Sequence, residues 1–255
     1  VVFLGVGCGL VAIGLDGDKD VSDIHPPASS QILDMNGNLI TNIHATENRT
    51  LVTLDKIPAN LQNAFIAVED NRFYEHNGID PRGIFRAIYS NLTSGEVAEG
   101  GSTITQQLAK NAFLSQDRTF KRKIQEFFIA LRLERQYTKE EILEMYLNQI
   151  YFGRGAYGVQ AAAQTYFGKD VSQLDLSECA MLAGIPRSPN YYSPLNNLGA
   201  ANERKAEVLD QMVKYGYIDS TTAAKTKAES LRLVNPKEQE NDNTASYFID
   251  YVTQE

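Results

Sequence analysis

Apolar residues recur every three to four positions along most of the middle of the chain, which predicts helices there. The pattern marks 58–68, 103–113 and a long amphipathic stretch over 119–137. In that last stretch Ile124, Phe127, Phe128 and Leu131 fall at i, i+3, i+4 and i+7 and form the apolar stripe. Thr138-Lys-Glu-Glu141 is a capping box, so a further helix opens there and runs through Tyr146. Asp175-Leu-Ser-Glu178 opens another, stopped by Gly184 and Pro186. Residues 200–215 form a helix ended by Gly216, and Asp219 starts one more. Ahead of the helices, Gln31-Ile-Leu-Asp-Met35 and Asn38-Leu-Ile-Thr-Asn-Ile-His44 flank Asn36-Gly37, a hairpin signal. No internal repeat is present. The pattern predicts a mainly α domain over roughly 48–232 with a small N-terminal β element.

The two ends read differently. Residues 1–15 carry no charge and would span roughly 22 Å as a helix, short of the ~30 Å hydrocarbon core. Charge begins abruptly at Asp16, so 1–15 reads as the end of a membrane-anchor helix and 16–47 as a stalk with the hairpin. No basic segment is present to orient the anchor. Cys8 is read as a residue of that helix. Residues 235–244 are polar and aperiodic, a linker, and Ala245–Val252 is strand-like with no local partner. The stretch 233–255 is therefore expected to lead towards a further domain.

Composition narrows the function. The chain has 255 residues, 43% hydrophobic and 22% charged, which suffices for real cores without a metal or disulfide staple. Net charge is −8, which argues against a nucleic-acid binder relying on overall charge. Two cysteines and three histidines exclude a disulfide framework and a His-rich metal cluster. Gly153-Arg-Gly155-Ala-Tyr-Gly158 matches a dinucleotide fingerprint, but a helix precedes it and no βαβ alternation surrounds it. Those glycines are expected to make a tight turn. Ser-x-x-Lys and Lys-Thr-Gly are absent, so this segment carries no penicillin-type acyltransferase site.

Two carboxylate centres remain. The first is Glu69-Asp-Asn-Arg-Phe-Tyr-Glu-His76-Asn-Gly78, at a helix end beside aromatics, where a carboxylate can be tuned for proton transfer. Its bland reading is a solvated helix terminus capped by Asn77-Gly78. The second is Arg118-Thr-Phe-Lys-Arg122-Lys123-Ile-Gln-Glu126. Across 118–135 six basic residues face two acidic ones, a local +4 that suits a phosphate or diphosphate. Lys123, Glu126 and Ala130 share one helix side; the bland reading is a solvated charged face. Between the centres, Glu99-Gly-Gly-Ser102-Thr103-Ile-Thr-Gln106-Gln107-Leu-Ala-Lys110 runs glycines into hydroxyls and amides at a helix start, with Ser102 or Thr103 as N-cap.

Five segments together resemble the family 51 glycosyltransferases, the peptidoglycan glycosyltransferase domain of class A penicillin-binding proteins and monofunctional transglycosylases. They are Glu69-Asp70…Phe73…His76-Asn-Gly78; Gly101-Ser-Thr-Ile-Thr-Gln-Gln107; Arg122-Lys-Ile-Gln-Glu126; Lys139-Glu-Glu-Ile-Leu-Glu-Met-Tyr-Leu-Asn148; and Ala180-Met-Leu-Ala-Gly-Ile-Pro-Arg-Ser-Pro189. The resemblance covers roughly 30–255. It implies a lysozyme-like helical fold on the outer face of the bacterial plasma membrane, held by a single-pass anchor. It implies polymerisation of lipid II, with the growing lipid-linked glycan as donor and undecaprenyl diphosphate as leaving group.

Carried onto this chain, the resemblance makes Glu69 the general base and Glu126 the second acid near the donor diphosphate. Lys110, Arg118, Arg122 and Lys123 resemble the phosphate-contacting set. Ser102, Thr103, Gln106 and Gln107 resemble sugar and diphosphate contacts, and Asp70, Phe73 and His76 shape the first motif. No cofactor is required, since the donor is already activated; a divalent cation (Mg²⁺ or Mn²⁺) at Glu126 is left open. The donor linkage is α and the product β, so displacement inverts and needs a base on the acceptor side and charge stabilisation on the leaving side. Gly83–Leu92 matches the region that dips into the membrane, with a core helix as the alternative. Partners implied are lipid II, the plasma membrane, a C-terminal transpeptidase domain and cell-wall synthesis proteins, with no nucleic acid. Two rival readings are a lysozyme-like hydrolase and a non-catalytic peptidoglycan- or lipid-binding module.

Overall fold

A computed structural model describes residues 30–33, 39–43, 48–94, 101–114 and 119–234. The anchor segment 1–15, the hairpin turn at Asn36-Gly37, Arg118 and the stretch 235–255 lie outside the described residues. Two short strands, β1 (Ser30–Leu33) and β2 (Leu39–Ile43), pair antiparallel with an irregularity between Ile32 and Leu33, as the hairpin signal predicts. A second pairing joins β3 (Asn48–Arg49) in parallel with β4 (Ala156–Tyr157).

The remaining elements are helices: α1 (Ala59–Glu69), α2 (Pro81–Ser94), α3 (Ile104–Phe113), α4 (Phe120–Gln136), α5 (Lys139–Gln149), α6 (Val159–Phe167), α7 (Leu176–Gly184), α8 (Leu198–Lys214) and α9 (Ser220–Ala228). The fold is mainly α. Helix starts follow the caps. Thr103, Thr138 and Asp175 each complete a capping box, with Gln106, Glu141 and Glu178. Thr119, Asn197 and Asp219 accept from the backbone two or three residues into their helices. Asn197 moves the start of α8 two residues ahead of the 200–215 expectation.

α7 sits centrally. Every residue from Ser177 to Gly184 is buried, and it packs on α1 and α8. A second group forms where α3 packs on α4 and α5. Phe65 of α1 joins the two. Its ring meets Tyr146 of α5 edge-on at 5.9 Å and Phe152 at 6.1 Å. The buried side chains form one continuous cluster from Ile57 to Ala223.

Two expectations are corrected and a third is borne out. On α4 the buried residues are Glu126, Ile129, Ala130 and Leu133, while Phe127 is 40% exposed. The Glu126/Ile129/Ala130/Leu133 side, not the Ile124/Phe127/Leu131 stripe, is the buried one. Second, the helix that ends at Glu69 is not capped by Asn77-Gly78. Asp70 closes it by donating its N–H to the Ile66 carbonyl. Third, the glycines before α6 do make a tight turn, with Ala156 N–H bonded to the Gly153 carbonyl. That turn also opens α6, which periodicity alone did not mark. Its Ala161–Ala163 run is buried on all sides, so no polar face reveals it.

Gly158 has φ of +81°, and a Cβ there would sit 2.7 Å from the Asn148 carbonyl oxygen. Gly158→Ala is expected to destabilise by about 2 kcal/mol or more, read as a lowered Tm in thermal unfolding.

Candidate active site

The end of α1 meets the start of α3, and Asp70 makes the join. Its Oδ2 accepts the Ile104 N–H at 3.0 Å, the first helical amide of α3. Both carboxylate oxygens lie 3.0 Å from His76 Nε2. A carboxylate oxygen accepts, so Nε2 donates and the ring is oriented by the contact. His76 Nδ1 is buried with no hydrogen-bond partner among the described residues. Glu69 is therefore presented from a fixed corner, one residue before a carboxylate locked on both sides.

α3 supplies the next layer. Thr103 Oγ1 donates to the Gly78 carbonyl at 2.6 Å. Gly78, at φ +86°, lies against α4, where a Cβ would come within 3.0 Å of the Ala130 carbonyl oxygen. Thr105 Oγ1 and Lys139 Nζ both donate to Glu134 Oε1, at 2.6 and 2.7 Å. Lys139 also sits 4.4 Å above the Phe73 ring. Gln107 faces the site: its Nε2 donates to Glu69 Oε2 at 2.7 Å, and its Oε1 accepts from the Tyr146 hydroxyl at 3.3 Å.

The second carboxylate is buried and surrounded by cations. Glu126 is 2% exposed. Lys123 Nζ donates to Glu126 Oε1 and, at 2.9 Å, to Ser102 Oγ. Arg122 Nη1 lies 3.8 Å from Glu126 Oε2. The solvated-face reading of this helix side therefore fails for Glu126, though Lys123 keeps nearly half its side chain in solvent. Lys110 holds its proton less tightly than an ordinary lysine. Burial is the main cause; Glu126 opposes it, Arg122 and Lys123 add to it, and Glu69 opposes it. Lys110 thus feels both carboxylate centres.

A cavity of about 590 Å³ opens beside Glu69 and Asp70 and is also lined by Arg86 of α2, Arg187 after α7, Tyr192 and Tyr215. The Tyr215 hydroxyl accepts from Asn71 Nδ2. Sequence reasoning gave none of these a role. Arg86 and Arg187 stood inside recognised segments, but nothing in spacing showed that the two converge on Glu69.

The expected residues separate into two groups. Glu69, Asp70, Ser102 and Thr103 border one recess; Gln107 bonds Glu69, Lys123 bonds Ser102 and Glu126 with Arg122 beside it, and Lys110 feels both glutamates. Phe73 and Gln106 lie in the interior, and the Gln106 amide closes the capping box of α3. His76 is buried behind Asp70. Arg118 lies outside the described residues.

The donor set does not fit a metal held by the protein alone. Among the described residues no three His, Cys, Asp or Glu side chains cluster, and both Glu126 oxygens face cations. No helix among the described residues is long and apolar enough to cross a membrane. α2 nevertheless leaves Phe85, Tyr89 and Leu92 at 76%, 72% and 78% exposure, spaced along one side. A core-helix reading of that face is excluded.

The penicillin-binding protein 1F of Bacillus subtilis is 49% identical over 228 residues, covering 89% of this chain and 32% of its own length. The penicillin-binding protein 1A of Escherichia coli is 47% identical over 235 residues, covering 92% and 27%. The chain thus spans about a third or less of the curated relatives it matches. The solved structure of penicillin-binding protein 1A from Haemophilus influenzae aligns with a TM-score of 0.49 and 26% identity, over 88% of this chain and 25% of that one. The transglycosylase family profile matches residues 36–213, well over half of the sequence, and the chain belongs to that family.

Proposed function

We propose that this domain is a peptidoglycan glycosyltransferase that polymerises lipid II into β-1,4-linked glycan strands with inversion. One observation carries the reading. Two carboxylates flank Lys110 in different surroundings: Glu69 held by a neutral amide, Glu126 buried among cations.

Glu69 takes the proton from the 4-hydroxyl of the acceptor N-acetylglucosamine as that oxygen attacks the anomeric carbon of the donor. A single amide donor leaves its other oxygen available for the hydroxyl. The bond from the anomeric carbon to the diphosphate oxygen breaks, and undecaprenyl diphosphate departs with negative charge. Lys110, Lys123 and Arg122 stabilise that charge, so no strong proton donor is needed. Glu126 anchors Lys123 and Arg122 from beneath. Ser102, bonded to Lys123, fixes the ammonium at the mouth of the cleft. A hydrolase acting on a neutral glycosidic bond has no use for this cationic set. The exposed Phe85, Tyr89 and Leu92 face supports contact with the lipid that carries the substrate, on the extracytoplasmic face of the plasma membrane. The relatives' name supports a transpeptidase domain elsewhere in the natural protein.

With detergent-solubilised protein and labelled lipid II, the wild type is expected to form long lysozyme-sensitive polymer. Glu69→Gln is expected to form it about 10²–10⁴-fold more slowly. Release of fragments from finished glycan instead would assign a hydrolase, and lipid II binding without either activity a binding module. A second expectation concerns pH. Because Lys110 gives up its proton below the usual lysine range, donor turnover falls as pH rises into that range. Lys110→Arg, whose charge persists, moves that alkaline fall upward in a pH–rate profile.

A further inference from the structure

The fourth sequence segment, Lys139–Asn148, has no part in the chemistry above, yet it delivers one polar atom to the site. The Tyr146 ring is 0% exposed and packed edge-on against Phe65. Its hydroxyl donates to Gln107 Oε1 at 3.3 Å, and Gln107 Nε2 donates to Glu69 Oε2 at 2.7 Å. We propose that Tyr146 is a positioning residue that fixes the orientation of the Gln107 amide and thereby aims its NH₂ at the Glu69 carboxylate. This inference rests on the glycosyltransferase reading for its purpose, but its electrostatics stand on geometry alone.

An amide has two faces that differ by a half-turn. With its NH₂ towards Glu69 it stabilises the carboxylate. With its carbonyl towards Glu69 it can only accept, which stabilises the protonated acid. The Tyr146 hydroxyl selects the first orientation, because donating satisfies its own proton. Turning round to accept from the amide would leave that proton without an acceptor in a fully buried site, which is unfavourable. Burial, and then the charges of Glu69 and Asp70, hold the phenol protonated far past neutral pH, so it remains a donor.

Other charges also act on Glu69. Asp70 lies on its own turn and Lys110 on α3. Arg86 of α2, Arg187 after α7, the Arg204–Glu207 pair and Asp210 of α8 share its cavity. None of them is changed by removing one phenolic oxygen, which isolates the effect of Tyr146.

The test is a ¹³C-carboxyl NMR titration of glutamate-labelled protein, with the Glu69 signal assigned by its loss in Glu69→Gln. Tyr146→Phe, which keeps the ring against Phe65, is expected to raise the Glu69 midpoint by about half a unit to one unit. Gln107→Leu removes the middle link of the same chain and is expected to raise it too. Adding Tyr146→Phe to Gln107→Leu should then shift it no further. In polymerisation assays the acidic limb of the pH–rate profile should move by the same amount in Tyr146→Phe. A structural role alone would lower rate or Tm at every pH without moving the midpoint. An unchanged midpoint in folded Tyr146→Phe, or an equal shift in the Gln107→Leu background, overturns the proposal. If the wild type makes no polymer, the glycosyltransferase reading fails, while the titration still decides the role of Tyr146.

Discussion

The Asp70 carboxylate is buried, and a buried charge is tolerated only where hydrogen bonds replace water. Here the replacement comes from two directions. The first amide of α3 supplies one donor, with the positive end of that helix behind it. His76 supplies the other. These bonds fix the end of α1 against the start of α3 and the loop between them. Glu69 is the residue just before this junction and Gln107 the one three beyond Ile104, so their meeting follows from it. A side chain of similar shape lacking the charge would leave an amide and an imidazole N–H competing for one acceptor.

The same logic governs the opposite wall. Burying Glu126 would be unfavourable alone, and Lys123 and Arg122 offset it. The pairing leaves a net positive surface, since two cations face one anion and Lys110 adds a third. In the proposed reaction a diphosphate entering there would meet charges already held in place, so little reorganisation would be needed as it departs. On the other wall, Glu69 accepts from the Gln107 amide, and its cavity carries both signs of charge, Arg86, Arg187 and Arg204 with Asp70, Glu207 and Asp210.

Farther out, polar side chains stitch the frame. Asn148 bonds both the N–H and the carbonyl of Val52, tying the segment before α1 to α5. Lys205, fully buried, donates to Ser177 and to the Thr226 and Glu229 carbonyls, closing the end of α9 onto α7 and α8. Its burial makes it surrender its proton more readily than a free lysine. Such contacts specify one packing arrangement for helices whose apolar faces could slide past each other.

Local signals determined much of this protein. Capping boxes at Thr138 and Asp175 and the stop at Gly216 gave helix ends because those interactions lie within four residues of chain. Glu69 and Glu126 stood out in the sequence as carboxylates at motif positions. What required the folded chain were pairings across dozens of residues. That α4 buries Glu126 and exposes Phe127 was not legible in the apolar count along α4. Gln106 resembles a ligand contact in sequence, yet its amide closes the capping box of α3, while Thr103 caps that helix and still borders the recess beside Glu69. Arg86, Arg187 and Tyr146 converge near Glu69 from separate helices and loops. Periodicity describes one helix against an unspecified neighbour, whereas the site is made by which neighbour each helix meets, and that is decided only when the core closes.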